Sequence, residues 1–289
     1  MDTPLRILNT GGHPADAFDN VGGTLANHVD RGDKVTVVVL SHGVFSHDTE
    51  AIVATVEAGG GSIDETPSDA AILKKEQEVK AGCGILGIED VRFLRYRDDY
   101  IQATPDIVRK LAAVVRDVRP HLVITHSPFD GGWFGNAHGV CAEITLRAIE
   151  VAGGHMPGND SPPHAVAQVF FSEHHGDTTS LDFHHYRFPM VLIDITDVIE
   201  KKVRAMDQLK SQFYPGGLAR KVLECKNGFH GFHHCIPYAE AFRYYRPEVY
   251  THLPVSPFRL QHADRLADMK EVYARLSRFI VPFVPFENG

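Results

Sequence analysis

Four cysteines, Cys83, Cys141, Cys225 and Cys235, are scattered through 289 residues. That is too few and too dispersed for a disulfide framework, so reduced thiols are expected. No stretch approaches 18 uncharged apolar residues, and Met1 to Arg6 runs into a short apolar strand with no basic or apolar leader segment. These absences predict no membrane partner and a cytoplasmic location. Positive charge is not in excess: 29 Lys and Arg face 37 Asp and Glu, a net charge of -8. A basic face able to displace counterions from phosphates is missing, which argues against nucleic acid as a partner. Gly11-Gly12 and Gly22-Gly23 occur early, but no Gly-x-Gly-x-x-Gly follows the first strand, so a nicotinamide cofactor is set aside. There is no internal repeat and no low-complexity tract.

What is present is ordinary globular composition, 43% hydrophobic and 23% charged, with an unusual 18 histidines. The expected organisation is an α/β catalytic domain over residues 1–212 and a loop-rich C-terminal extension over 213–289 packed on the same domain. Strand, loop and helix alternate, the pattern of a Rossmann-like parallel sheet with helices on both faces. Leu5 to Asn9 reads as the first strand, and Val21 to Arg31 as a helix stopped by Gly32. Lys34 to Leu40, with Val35, Val37, Val38 and Val39, reads as a strand buried on both faces. Ser41 to Pro67 reads as a long loop with a short helix at 50 to 57. Ser68 caps a helix reaching Leu86, Val91 to Leu94 is a third strand, and Pro105 opens a helix to Arg116. His121 to Thr125 is a fourth strand, followed by a loop and a helix from His138 to Val151. Val166 to Ser172 and Met190 to Ile195 are further strands, and Val198 to Leu209 a further helix. From Pro215 onward the pattern predicts mainly loop.

In such sheets the ligand site lies beyond the carboxyl ends of the strands, where strand order reverses. The loops after the first, second and fourth strands, 11 to 20, 41 to 48 and 126 to 138, are rich in His and Asp. In the first, His13 and Asp16 lie three apart on a turn stiffened by Pro14, and imidazole with carboxylate suits a divalent ion such as zinc. The fourth-strand loop offers His126, Asp130 and His138 as a third ligand, and His138 stands at the mouth of a helix. Three protein ligands with an open position is the catalytic form of a zinc site.

The stretch Leu8 to Gly43 resembles the N-terminal signature of the LmbE/PIG-L family of zinc-dependent deacetylases. That signature reads His-Pro-Asp-Asp-Glu, then a Gly-Gly helix start and a second strand. The likeness extends through Thr24-Leu25-Ala26, Glu78, Ala81, Leu86-Gly87 and Pro120 to His126, with a patch at Tyr238 to Arg243. It implies one divalent metal, zinc, per chain, held by His13, Asp16 and His138, and hydrolysis of an amide or N-acetyl bond of a small molecule. It also implies a homo-oligomer. Three departures matter. The family's Asp base is Ala15 here, the following Glu is Ala17, and the His-Pro-Asp-His around the third ligand becomes Gly135-Asn136-Ala137-His138. Ala15 is a feature of a branch resembling 4-oxalomesaconate hydratases, which add water to a carbon–carbon double bond. Phe170 to His174, Leu192 to Thr196 and Lys201-Lys202 also look like that branch.

With no base at position 15, a histidine near working pH is the natural substitute. His47, with carboxylate neighbours Asp48 and Glu50, and His174 are the expected base and acid, and Asp48 completes the catalytic set. His126, Asp130 and Arg243 are expected to contact substrate or support the ligands, since a guanidinium binds planar anions well. Surface ion pairing or loop capping would equally explain these side chains. Cys225 to Cys235, with His230, His233 and His234, invites a second-metal reading, but lacks the paired spacing of structural zinc sites and also suits a lid or subunit contact. The functions in competition are a zinc hydrolase, a zinc-dependent hydratase acting on an unsaturated carboxylic acid, and a metal-binding pseudoenzyme.

Overall fold

A computed structural model describes residues 3–61, 65–130, 136–172, 191–264 and 269–280. Among these residues one seven-stranded sheet forms the centre of the molecule. Its strands are β1 (Arg6–Gly11), β2 (Lys34–Ser41), β3 (Asp90–Tyr96), β4 (Leu122–His126), β5 (Gln168–Ser172), β6 (Val191–Asp194) and β7 (Ala239–Tyr244), in the spatial order β3-β2-β1-β4-β5-β7-β6. Strands β1 to β5 pair in parallel. β7 runs antiparallel to both β5 and β6, so the sheet is mixed. Strand order reverses between β1 and β4, and the crevice at their carboxyl ends is where a ligand is expected in such folds.

The β-branched run of β2 explains why the sheet is covered on both sides. Val37 and Val39 belong to one hydrophobic cluster, whereas Val38 and Leu40 belong to the other. Successive side chains of a strand point to opposite faces, so both faces must be apolar when both carry helices. One face is covered by α1 (Gly22–Asp30), α3 (Asp69–Ile85) and α6 (Ile199–Met206), the other by α4 (Pro105–Val118) and α5 (Ala137–Gly153). In α4 the residues Ile107, Val108, Leu111, Ala112 and Val115 recur at helical spacing and are buried. Each such side chain contributes about 1.5–3 kcal/mol by leaving water.

Caps fix the helix starts near the crevice. Ser68 accepts a hydrogen bond from Ala71 N at the start of α3, and Asn136 Oδ1 accepts one from Gly139 N at 2.9 Å at the start of α5. The helix expected within the 41 to 67 segment is α2 (Thr49–Glu57). At the start of α1, a Cβ on Gly23 would lie 2.6 Å from the side chain of Ile195, so only glycine permits that approach.

Residues beyond 213 hold more regular structure than the sequence predicts. They form α7 (Gly217–Leu223), a π-helical turn (Glu224–Gly228), α8 (Phe229–Phe232), β7, α9 (Pro257–Asp264) and α10 (Met269–Leu276). β7 lies inside the sheet, between β5 and β6. It escapes periodicity because Ala239, Glu240, Ala241 and Phe242 are all buried, with the Glu240 carboxylate 2.7 Å from the ammonium of Lys202. Among the described residues no helix is long and apolar enough to cross a membrane.

Candidate active site

At the reversal point three chain segments bring His13, Asp16, His126, Asp130 and His138 together. A short 3-10 turn, Ala15–Ala17, follows β1 and folds Asp16 back so that its Oδ2 accepts a hydrogen bond from His13 N at 2.7 Å. His126 is the last residue of β4, and its Nε2 lies 3.1 Å from Asp16 Oδ2. His138, in the first turn of α5, directs Nε2 toward Asp16 Oδ1 at 3.6 Å while Nδ1 lies 2.5 Å from Asp130 Oδ2. The rings of His126 and His138 stack with centroids 4.2 Å apart.

Ligand atoms of His13, Asp16 and His138 all lie within 4.8 Å of one another, and so do those of His126, Asp130 and His138. Either trio could hold a metal ion. The fit is better for the first: His13 Nδ1 is buried with the Asp16 carboxylate 3.3 Å away, so an imidazole and a carboxylate face one point, which suits two ligands of one metal ion. Asp130 then occupies the supporting place, because a carboxylate on the far nitrogen of a ligating imidazole fixes its tautomer and orientation.

Electrostatics agree with a cation-seeking cluster. Burial alone would push the Asp16 carboxyl up, but the charges of His126 and His138 and hydrogen bonds from His126 and His13 hold it well below the ordinary carboxylate range. Burial works against the charged form of His138, yet Asp16 and Asp130 raise it to about 9. His47 is pushed down to about 4, first by burial and then by the neighbouring His13. It is therefore neutral near pH 7 and able to accept a proton.

Residues 8–149 match the family described as PIG-L, GlcNAc-PI de-N-acetylase. That stretch belongs to the PIG-L family. The PIG-L segment contains every member of the cluster, from His13 to His138. A 1D-myo-inositol 2-acetamido-2-deoxy-alpha-D-glucopyranoside deacetylase of Catenulispora acidiphila is 26% identical over 59% of this chain and 61% of its own length. The chain thus spans about three fifths of that relative. A diacetylchitobiose deacetylase of Thermococcus kodakarensis is 24% identical over 72% of this chain and 70% of its own. Among solved structures, the 4-carboxy-2-hydroxymuconate hydratase of Pseudomonas putida is similar with a TM-score of 0.70 and 22% identity, over 86% of this chain and 100% of that one. At that identity the likeness concerns the fold alone.

The other expected site residues fall as follows. His47 stacks on His13 with ring centroids 3.9 Å apart, which puts it beside the cluster. The approach depends on Gly43, which has φ +67 and no room for a Cβ, since one would lie 2.4 Å from Pro14 Cδ. Asp48 is the N-cap of α2 and accepts a hydrogen bond from Ala51 N at 3.1 Å. Arg243 is half-buried on β7, opposite Phe171 of β5. His174 lies outside the described residues. Among the described residues, no trio of ligand atoms gathers from the Cys225 to Cys235 segment. A groove of about 970 Å³ beside α5, lined by Glu143, Arg147, His164 and Arg246, contains none of the clustered side chains, so chemistry rather than groove size identifies the site.

Sequence reading missed several side chains here. Asp98 follows β3 and lies 2.9 Å from His42 Nδ1; an acidic residue just beyond a strand's carboxyl end was the available signal. Burial disfavours its charged form, but His42, the Ser46 hydroxyl and two backbone N–H groups together hold it well below the usual carboxylate range. Lys75, 1% exposed, donates to the His47 carbonyl and to Ser211 Oγ. On the other wall Lys226 donates to Asn20 Oδ1 at 3.1 Å, and burial raises the adjoining Asp19 carboxyl to about 6.

Proposed function

We propose that this protein is a zinc-dependent enzyme that activates water and hydrolyses an amide or N-acetyl bond of a small molecule. The observation carrying this reading is the convergence of His13, Asp16 and His138 ligand atoms within 4.8 Å at the point where strand order reverses. The relatives' names, which are those of deacetylases, favour the amide bond. A divalent ion bound there supplies Lewis acidity and brings the pKa of a bound water to about 7. The chain's own groups orient ligands and move protons. Asp130 holds the His138 ring in one orientation. His47 accepts the proton that Ala15 cannot, and His174 returns one to the leaving group. His126 and Arg243 contact substrate, and Asp48 keeps the His47 loop joined to α2.

A second reading, hydration of an unsaturated carboxylic acid, is favoured by one observation. Ala15 is packed in the apolar core at 4% exposure, so no carboxylate replaces the family's base at that point. The experiment is an assay of the purified protein, with its metal content measured, against N-acetyl sugars and unsaturated dicarboxylates. Amide cleavage that rises in Ala15→Asp supports the hydrolase. Turnover of dicarboxylates alone, unchanged or reduced in Ala15→Asp, overturns it in favour of the hydratase. Full turnover in His47→Ala would remove His47 from the chemistry.

A further inference from the structure

The loop that carries His47 is hydrogen-bonded in a way that dictates the protonation of its ring. Ser46 Oγ lies 2.5 Å from Asp98 Oδ2 and 2.6 Å from His47 Nδ1. A hydroxyl owns one proton, whereas an ionised carboxylate only accepts. Asp98 also receives Ser46 N at 2.7 Å and Phe45 N at 3.3 Å, both donors, and so behaves as the acceptor of the group. The Ser46 proton therefore goes to Asp98. The Ser46 oxygen then meets His47 with a lone pair, and His47 Nδ1 must supply the hydrogen. In a neutral ring that leaves Nε2 unprotonated, and no hydrogen bond among the described residues uses it.

We propose that Asp98, acting through Ser46, is a positioning residue that locks His47 as the Nδ1–H tautomer and so presents Nε2 as the proton acceptor. This rests on the reading of His47 as the base. The remaining freedoms of His47 are removed independently. Its carbonyl accepts from the buried Lys75, its ring face stacks on His13, and Gly43 lets its loop close against Pro14. A base fixed in tautomer, ring plane and backbone requires no rearrangement at the moment of proton transfer. The relay comes from two loops, one after β2 and one after β3, so it is a property of the fold rather than of a local motif.

The test is the tautomer of His47, read from side-chain 15N shifts in the purified protein labelled at histidine, with the resonance assigned by its loss in His47→Gln. Wild type is expected to show Nδ1–H. Ser46→Ala, a change at an exposed residue, should shift His47 toward Nε2–H and lower kcat by about 10²-fold, the lower range of a general base's contribution, with KM little changed. Ser46→Thr, which restores the hydroxyl, should restore the tautomer and most of the turnover. Asp98→Asn should resemble Ser46→Ala, and thermal melts show whether loss of its two backbone contacts also loosens the loop. An Nε2–H signal in wild type, or an unchanged Nδ1–H signal in Ser46→Ala, overturns the proposal whatever the substrate. A tautomer that shifts while turnover holds upholds the relay and instead overturns His47 as base.

Discussion

Replacing Lys202 with methionine tests what joins the end of the chain to its beginning. Lys202 and Glu240 form an ion pair at 2.7 Å with both side chains at 0% exposure. Lys202 also donates to Asn227 Oδ1 at 3.0 Å, while Glu240 accepts from Gly23 N at 2.9 Å and Thr24 N at 2.7 Å. Methionine keeps most of the lysine's volume but leaves a buried carboxylate without its cation. Such breakage costs about 3–5 kcal/mol. The two backbone donors still face the carboxylate, so the lower end is expected, about 3 kcal/mol. For a chain of this size that corresponds to a fall in Tm of about 6–12 °C. Adding Glu240→Gln removes the stranded charge and leaves one backbone N–H facing an amide N–H₂, a residual cost of about 1–3 kcal/mol. The double variant should therefore melt above Lys202→Met alone. Calorimetry on the three proteins at one pH decides. A Lys202→Met protein melting within about 2 °C of wild type, or a double variant less stable than the single, would refute the reasoning.

Three further outcomes are expected. Asp16→Asn and His138→Ala should each lose the bound metal ion by elemental analysis while keeping a native circular dichroism spectrum; retention in Asp16→Asn with loss in His138→Ala would move the site to His126, Asp130 and His138, and retention in both would overturn the assignment. Gly43→Ala should be costlier than Gly60→Ala by about 1–3 kcal/mol in urea titrations. Both glycines have positive φ, but Gly60 has nothing within 4 Å of its would-be Cβ whereas Gly43 meets Pro14. His230 is held at about 4 by burial and by the nearby His234 and Lys226, below its ordinary 6.5. The unfolded chain therefore binds the extra proton between those values, and stability falls as pH drops from 6.5 toward 4, by up to about 1.4 kcal/mol per pH unit from this group. His230→Gln should flatten that slope in melts across the window.

The legible parts of this molecule are those governed by local chemistry. The valines of β2 and the Ser68 cap of α3 state their roles within a few residues, and His13, Pro14 and Asp16 mark a short polar turn after the first strand. Asp130 was legible as a partner to the site, though only coordinates show that it grips Nδ1 of His138. Non-local pairings were hidden. β7 is a strand because β5 and β6 flank it, and Glu240 is tolerated inside because Lys202, 38 residues earlier, neutralises it. Asp98 and Ser46 lie 52 residues apart, and no pattern within either loop reveals their bond. Lys75, on α3, turns inward to the His47 carbonyl.

The placement of β7 also bears on how the chain is made. β6 ends at Asp194, and its partner in the sheet is complete only at Tyr244, 50 residues later. At roughly 5–20 residues per second, a nascent chain waits about 3–10 s with the edges of β5 and β6 open. Such edges are templates for stray strand pairing. The final quarter of the polypeptide thus acts as a late-arriving seal, and expression yield should respond to anything that slows translation between those two strands.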